Sequence, residues 1–422
     1  MPTYYHSTVA PAQRFAALPQ SVDADIVIVG GGFAGLATAF SLMERGVRDC
    51  VLLEAETIGH GASGRNGGFV FGGFSLDTVE LVKQLGRDEA RRLYQLTLDA
   101  VHRMRHRIEK HRIDCEAVYS GVLVANWFTD DKPLLETQRF MREVFDIDWR
   151  WLSRDEVRTL LLTERYHSAL FEPNGFHFNP LKYALGEARV LEAGGVRVHE
   201  QTRVRAIVAD GTGWRVDTGA ASVRCRQVVV SCGGYLKNLY PQLSRAVMPI
   251  ATYVMTTEPL HDRLRTAMRT DATVYDTRFA FDYYRPLLDT RLLLGSRISI
   301  RDRLPANVAR LLLGDLLRVY PQLQGVRVTH AWSGWMSYAR HKMPQIGRLP
   351  NGLWYSMGFG GHGVAPTTLA GEVLAQAMTG EAPIPSGIAA YGLAPTFGRL
   401  GKLAAQATYW WMQGRDALRE RR

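Results

Sequence analysis

At 422 residues the chain is well beyond the usual single-domain length, so two domains are expected. Its 46% hydrophobic and 22% charged content excludes wholesale disorder, and no apolar run reaches the ~18 residues of a bilayer span. A net charge of +10 raises nucleic acid as a partner, but the arginines are scattered and no basic block carries interleaved aromatics, so none is expected.

The one basic concentration, His102 to Arg107, has the spacing of a solvated helix face. Four cysteines, Cys50, Cys115, Cys225 and Cys232, lie far apart with no CxxC pair. No metal site and no disulfide framework is expected, and reduced thiols fit a cytoplasmic protein. The N-terminus also lacks a basic start followed by a long apolar stretch, so export is not expected.

In chain order, Asp25 to Val29 reads as a short buried strand entering the glycine run Gly30-Gly31-Gly32-Phe33-Ala34-Gly35. A small-residue helix follows over Leu36 to Arg45, then a second apolar strand, Cys50 to Leu53, closed by Glu54 and Ala55. This is a dinucleotide-binding unit: Gly30 for the tight turn, Gly32 for backbone approach to a pyrophosphate, Gly35 for helix–strand packing, and Glu54 for ribose hydroxyls. The helix N-terminus, with Phe33 and Ala34, offers N–H groups and partial positive charge to phosphates. The unit alone leaves NAD and FAD open. Next comes a loop too glycine-rich for a helix or strand, in which Gly61, Ala62, Ser63, Arg65, Asn66, Gly67 and Gly68 are positioned to lie flat against a cofactor.

Ser75 to Lys110 reads as helical, Gly121 to Ala125 as a strand, Pro133 to Val144 as a helix, and Leu181 to Glu192 as a helix before the strand Val196 to Val198. A meander follows: Val204 to Val208, a turn at Gly211 to Gly213, Trp214 to Val216, and a valine-rich strand, Gln227 to Ser231, ending in Cys232 and Gly233. β-branched and aromatic runs over 241–330 suggest an antiparallel sheet. Leu353 to Met357 is a strand, Gly358 to Gly363 a glycine loop, and Thr367 to Met378 a helix, so Gly360, Gly361, His362, Gly363 and Val364 precede a second helix N-terminus that can stabilise negative charge.

The loop Gly61 to Gly68, with Tyr4-Tyr5, Gly175 to Pro180, Asp282 to Arg285, Met343 to Arg348 and Gly360 to Val364, resembles the D-amino-acid-oxidase-like FAD oxidoreductases, the group of glycine and sarcosine oxidases. The resemblance implies an α/β fold: a Rossmann-like FAD-binding domain built from discontinuous segments (20–95, 170–240 and 331–393), an α+β substrate domain with an antiparallel sheet (96–169 and 241–330), and a helical tail, 394–422. It implies non-covalent FAD, because the stretch Ser337 to Met343 has no attaching cysteine and Asn66 stands where covalent relatives have histidine. The backbone of Val204 matches the adenine contact of the family.

Relatives that grip an α-amino carboxylate carry an arginine where this chain has Met336, so glycine and small D-amino acids are not expected as substrates. The catalytic candidates are His177, Tyr283, Arg285, Trp332 and Met336. The expected substrate is an amine, γ-glutamylputrescine or a related ω-amine; the alternatives are an N-methyl amino acid and a membrane-peripheral amine dehydrogenase serving quinone. Oxygen or another acceptor takes the electrons, and Leu293 falls where sarcosine-oxidase relatives carry an oxygen-activating lysine. The tail from Phe397 to Arg422 has two readings: a helix that covers the substrate domain with its aromatics buried, which is the expectation, or an amphipathic helix on an anionic membrane. Oligomeric state stays open.

Overall fold

The computed structural model describes residues 3–10 and 15–420. Two sheets organise the chain. The first, of eight strands, is centred on Val22–Val29, which runs parallel to Cys50–Leu53 on one side and Ser222–Val230 on the other. Arg197–His199 and Trp354–Met357 extend the parallel set, and Gln345–Arg348 closes it antiparallel. Ile26 and Ile28 point into the core beneath the helices, whereas Val27 and Val29 point into the core on the opposite face. Burial on both faces is why Ile26 to Val29 reads as an unbroken apolar run.

The helix Phe33–Glu44 packs directly on Val364–Thr379. Their approach is close because Gly371 lies against the Ala37 backbone, where a Cβ would collide with the Ala37 carbonyl group. The expected long helix from Ser75 is two, Thr78–Leu85 and Arg87–Lys110. Asp77 caps the first through the N–H groups of Val79 and Glu80, and Gly86, at φ +81°, breaks the chain between them.

The basic cluster in the second helix is only partly a solvated face. Arg107 is fully buried, stacked 4.3 Å over Phe40 and bonded to Glu44 (2.7 Å) and Ser41 (2.9 Å) of the neighbouring helix. Its helix lies across the first layer, and an arginine at that contact finds a carboxylate in place of water.

The second sheet has nine strands, in the order Phe359–Gly360, Val328–Tyr338, Met248–Thr257, Leu292–Ser299, Asp282–Pro286, Thr273–Asp276, Val122–Ala125, Ala169–Glu172 and Arg150–Leu152. It is largely antiparallel, as expected over 241–330. Ala169–Glu172 and Val328–Tyr338 belong to it, so divisions at 169/170 and 330/331 cut through strands of this sheet. On one face Ala251, Tyr253 and Met255 pack against the helix Pro305–Val319; on the other, Ile250 and Thr252 face a large cavity between the sheets.

The C-terminal helix Gly398–Glu420 lies against this assembly, but the expected burial of its aromatics holds only for Tyr409. Trp410 and Trp411 remain 65% and 62% exposed, because Tyr409 turns toward the sheet and the two residues after it are rotated about 100° and about 200° away around the helix. Residues 421–422 of the predicted tail lie outside the described residues.

Overpacking tests the helix pair. Gly371→Leu should lower unfolding free energy by about 1–3 kcal/mol, read from urea denaturation, because the side chain has only the Ala37 backbone to move into.

Candidate active site

The glycine turn after the first strand is built from close approaches. Gly30 adopts φ +114° with its Cα against the Ser231 carbonyl, and Gly35 sits so near the Gly30 carbonyl that no Cβ fits between them. The helix beginning at Phe33 therefore starts hard against the strand end and aims its N-terminus into the cavity. Ser63 comes from the second glycine loop to accept the Phe33 N–H at 2.9 Å.

Glu54 accepts from the N–H groups of Gly31 (2.7 Å) and Glu56 (2.9 Å), which ties the second strand's end to the turn. Burial pushes its carboxyl above the usual range, and those two N–H bonds pull the other way.

The cavity occupies about 1730 Å³, well beyond the ~300–1,000 Å³ of an ordinary small-ligand pocket, as an extended dinucleotide requires. Its walls include Gly30, Gly32, Phe33, Ala34, Glu54, Ala55, Gly61, Ala62, Ser63, Asn66, Gly67, Val204, Cys232, Gly233, and the run Gly360, Gly361, His362, Gly363 and Val364. Two helix N-termini, at Phe33 and at Val364, thus open on one space.

Gly35, Arg65 and Gly68 stand behind the wall. Gly35 packs on the turn. Arg65 donates through Nε to the His60 carbonyl (2.8 Å), and Gly68, at φ +78°, accepts the Phe178 N–H through its carbonyl. Asn66 clasps its own loop, donating to the carbonyls of Ala62 and Ser63 and accepting the Gly68 N–H.

The catalytic candidates separate into two groups. Tyr283 and Met336 line the cavity. Tyr283 stands edge-on to Phe69 in a slot that exists because Gly67 and Gly295 have no side chains; a Cβ at either would strike the ring.

Arg285, His177 and Trp332 do not reach the cavity, which departs from the sequence expectation. Arg285 is 2% exposed and donates to the carbonyls of Gly67 (2.6 Å) and Phe178 (2.9 Å) and to His177 Nδ1 (3.0 Å). Because Nδ1 accepts, Nε2 carries the ring proton and donates to the Asp271 carbonyl at 2.9 Å. Burial, reinforced by the Arg285 guanidinium, pushes the His177 pKa down to about 3. Trp332 donates its indole N–H to the Arg65 carbonyl at 2.9 Å. The three are supports of the Gly61–Gly68 loop, and a polar residue near a glycine loop in sequence does not reveal whether it faces the ligand or the loop's back. Leu293 also points away from the cavity, into a small core with Tyr5 and Trp332.

His362 lines the cavity with its ring edge-to-face on Phe71 at 4.3 Å and its Nε2 within 3.3 Å of the Phe71 carbonyl. Burial holds its pKa down to about 4, so the imidazole is neutral.

Several wall residues carry no sequence signal of their own. Phe71 stacks on Tyr275 at 5.6 Å, and with Phe281, Tyr283 and Tyr338 they make an aromatic chamber. Ala404, Thr408 and Tyr409 of the C-terminal helix close its outer side. Two of the lining cations are already spent: Arg278 pairs with Asp276 and Asp282 at 2.6 Å while stacking 3.6 Å over Trp127, and Arg297 forks onto Asp315. Burial raises the Asp282 carboxyl to about 6 against the pull of Arg278. Lys237, Arg340 and Lys342 line the cavity from exposed positions. Among the described residues there is no cluster that would hold a metal ion.

The model of the family described as FAD dependent oxidoreductase matches residues 25–377. A γ-glutamylputrescine oxidoreductase of Escherichia coli is 36% identical over 385 residues, covering 90% of this chain and 89% of its own. A probable oxidoreductase OrdL of Haemophilus influenzae is 30% identical over 387 residues, covering 90% and 88%. Among solved structures, a glycine oxidase of Geobacillus kaustophilus superposes with TM-score 0.75 at 22% identity, covering 88% of this chain and 98% of its own.

The buried histidines give a pH dependence with a definite sign. In the unfolded chain His177 titrates near 6.5; in the fold it stays neutral to about 3. Stability is therefore lost as the pH falls below ~6.5, where the unfolded chain binds a proton that the fold refuses. His177→Gln keeps an acceptor for Arg285 and a donor for Asp271, and should flatten the fall in melting temperature between about pH 7 and about pH 5. An unchanged slope would place the ring in a solvated site.

Proposed function

Because the chain belongs to the FAD-dependent oxidoreductase family, we propose that it oxidises the carbon–nitrogen bond of an amine, with γ-glutamylputrescine or a related ω-amine as preferred substrate. The observation that carries this reading is the charge layout of the cavity. Met336 lines the cavity beside Gly361, and the lining arginines Arg278 and Arg297 are neutralised by buried aspartates. Neither arginine is free to meet a carboxylate beside Met336. The exposed cations Lys237, Arg340 and Lys342 lie on the lining near solvent, suited to a carboxylate at the far end of a long substrate. The 36% identity to the γ-glutamylputrescine oxidoreductase supports the same choice.

The residues fit FAD. Gly32 leaves backbone open at a helix N-terminus, where a pyrophosphate is held by N–H groups and the helix dipole. Glu54, fixed by Gly31 and Glu56, keeps further lone pairs for ribose hydroxyls. Val204 lines the same cavity on the adenine side of this reading, and the Gly61–Gly67 and Gly360–Val364 walls would hold the ring system. FAD, when bound, supplies the two-electron oxidant, and the imine product hydrolyses to an aldehyde and ammonia.

The chain's own residues do the rest. Phe71, Tyr275, Phe281 and Tyr283 hold an alkyl amine by apolar and cation–π contact and exclude water. The Val364 helix N-terminus stabilises negative charge that develops at its end of the cavity. His362, neutral and bonded through Nε2 to a carbonyl, positions the wall and adds no positive charge that would repel a cation.

Attachment of FAD is non-covalent in this reading, so acid precipitation should release it intact; flavin carried down with the polypeptide would contradict that. Glu54→Ala should weaken FAD retention by about 1–3 kcal/mol, measured by equilibrium dialysis. In an anaerobic screen, γ-glutamylputrescine should bleach the bound flavin, and glycine and D-alanine should be slower by at least about a hundredfold, the scale of an unpaired buried carboxylate. Rapid reduction by either amino acid would refute the substrate assignment.

A further inference from the structure

The C-terminal helix Gly398–Glu420 turns two different faces to its surroundings. Inward, Gln406 accepts the Ile300 N–H at 3.1 Å, Asp416 accepts the Phe279 N–H at 2.8 Å, and Glu420 pairs with Arg165 at 3.1 Å and Arg318 at 3.3 Å. Both acids of the helix are thereby spent on the protein. Outward, Leu400, Leu403, Trp410, Trp411 and Leu418 are each 59–76% exposed and recur at helical spacing along one stripe.

Arg399 flanks that stripe on one side and Arg415 on the other, both exposed, with Arg415 5.1 Å over the Trp411 ring. Two exposed tryptophans beside leucines, edged by arginines and free of acids, are otherwise a liability for a protein in water.

We propose that this outer face binds an anionic membrane surface. The helix is anchored to the fold by its inner face and presents its apolar stripe ready-made, so docking requires no unfolding. Leucines and indoles enter the headgroup–acyl boundary, where an indole keeps its N–H near water, and the flanking arginines meet lipid phosphates. A second copy of this chain meets the same arginines with its own and suits the face poorly, since the outer face carries no acid to pair with them. No helix of the described residues is long and apolar enough to cross a membrane, so the contact is interfacial. Ala404, Ala405 and Thr408 on the same helix line the cavity, so a docked molecule holds one wall of its active site against the bilayer. This inference is independent of the substrate assigned above.

Sedimentation tests it. The FAD-loaded full chain is mixed with vesicles of phosphatidylcholine alone or with about one third phosphatidylglycerol, at low and high salt. Binding should appear with the anionic vesicles at low salt. It should fall by at least about tenfold in Trp410→Ser/Trp411→Ser and, separately, in Arg399→Glu/Arg415→Glu, with melting temperatures close to wild type. Wild-type protein that stays in the supernatant with anionic vesicles overturns the proposal, as does equal binding by folded variants. A dimer in velocity sedimentation that the tryptophan variant dissolves, with no vesicle binding, assigns the face to a second copy and overturns it as well.

Discussion

The buried guanidinium of Arg285 is the point on which the site depends. It leaves the nine-stranded sheet, passes under the Gly61–Gly68 loop and binds two carbonyls and an imidazole, with no carboxylate among these partners. A charge held this way needs every acceptor in place, because each lost bond leaves a buried ion less well solvated. The Gly67 and Phe178 carbonyls are thus pinned at one spot, and the loop that forms a cavity wall is fixed to the opposite sheet. Tyr5 strengthens the clamp by donating to the Asn66 carbonyl at 2.8 Å, which gives the four-residue helix Tyr4–Ser7 a role under the loop.

From this clamp the rest of the geometry follows. With the loop held, Ser63 reaches the Phe33 N–H, and the two helix N-termini share one space. The second sheet supplies the aromatic chamber and the C-terminal helix its outer side. Each layer contributes something the others lack: partial positive charge from helix ends, flat apolar walls from the sheet, and closure from the tail.

The nucleotide-binding half was legible because its function is written in backbone terms. A strand, three spaced glycines, a helix and an acid permit few geometries, and Gly30 makes the tight turn and Gly35 the close helix–strand approach that their spacing implied. His177, Arg285 and Trp332 were misplaced for a different reason. Sequence marks them as polar or aromatic and near the site, but whether a side chain faces a ligand or the back of a loop depends on strand register, and one residue of register reverses the answer. The same limit applied to the tail. Its amphipathic pattern showed a helix with two faces; which aromatic met the protein was decided by the contacts of Gln406, Tyr409 and Asp416 with segments distant in sequence. Phe71 and Tyr275 meet across segments some two hundred residues apart, so no local pattern joins them.

The slot that holds Tyr283 constrains how this protein can change. Gly67, Gly295 and the Tyr283 ring share one volume, so none can be enlarged unless another shrinks, and a lineage passing through single substitutions meets a barrier at each. Met336 and Phe281 face open cavity and carry no such debt to a neighbour's backbone. Drift in substrate preference therefore has an open route through those two positions, while the tyrosine and its two glycines are inherited together as a single unit.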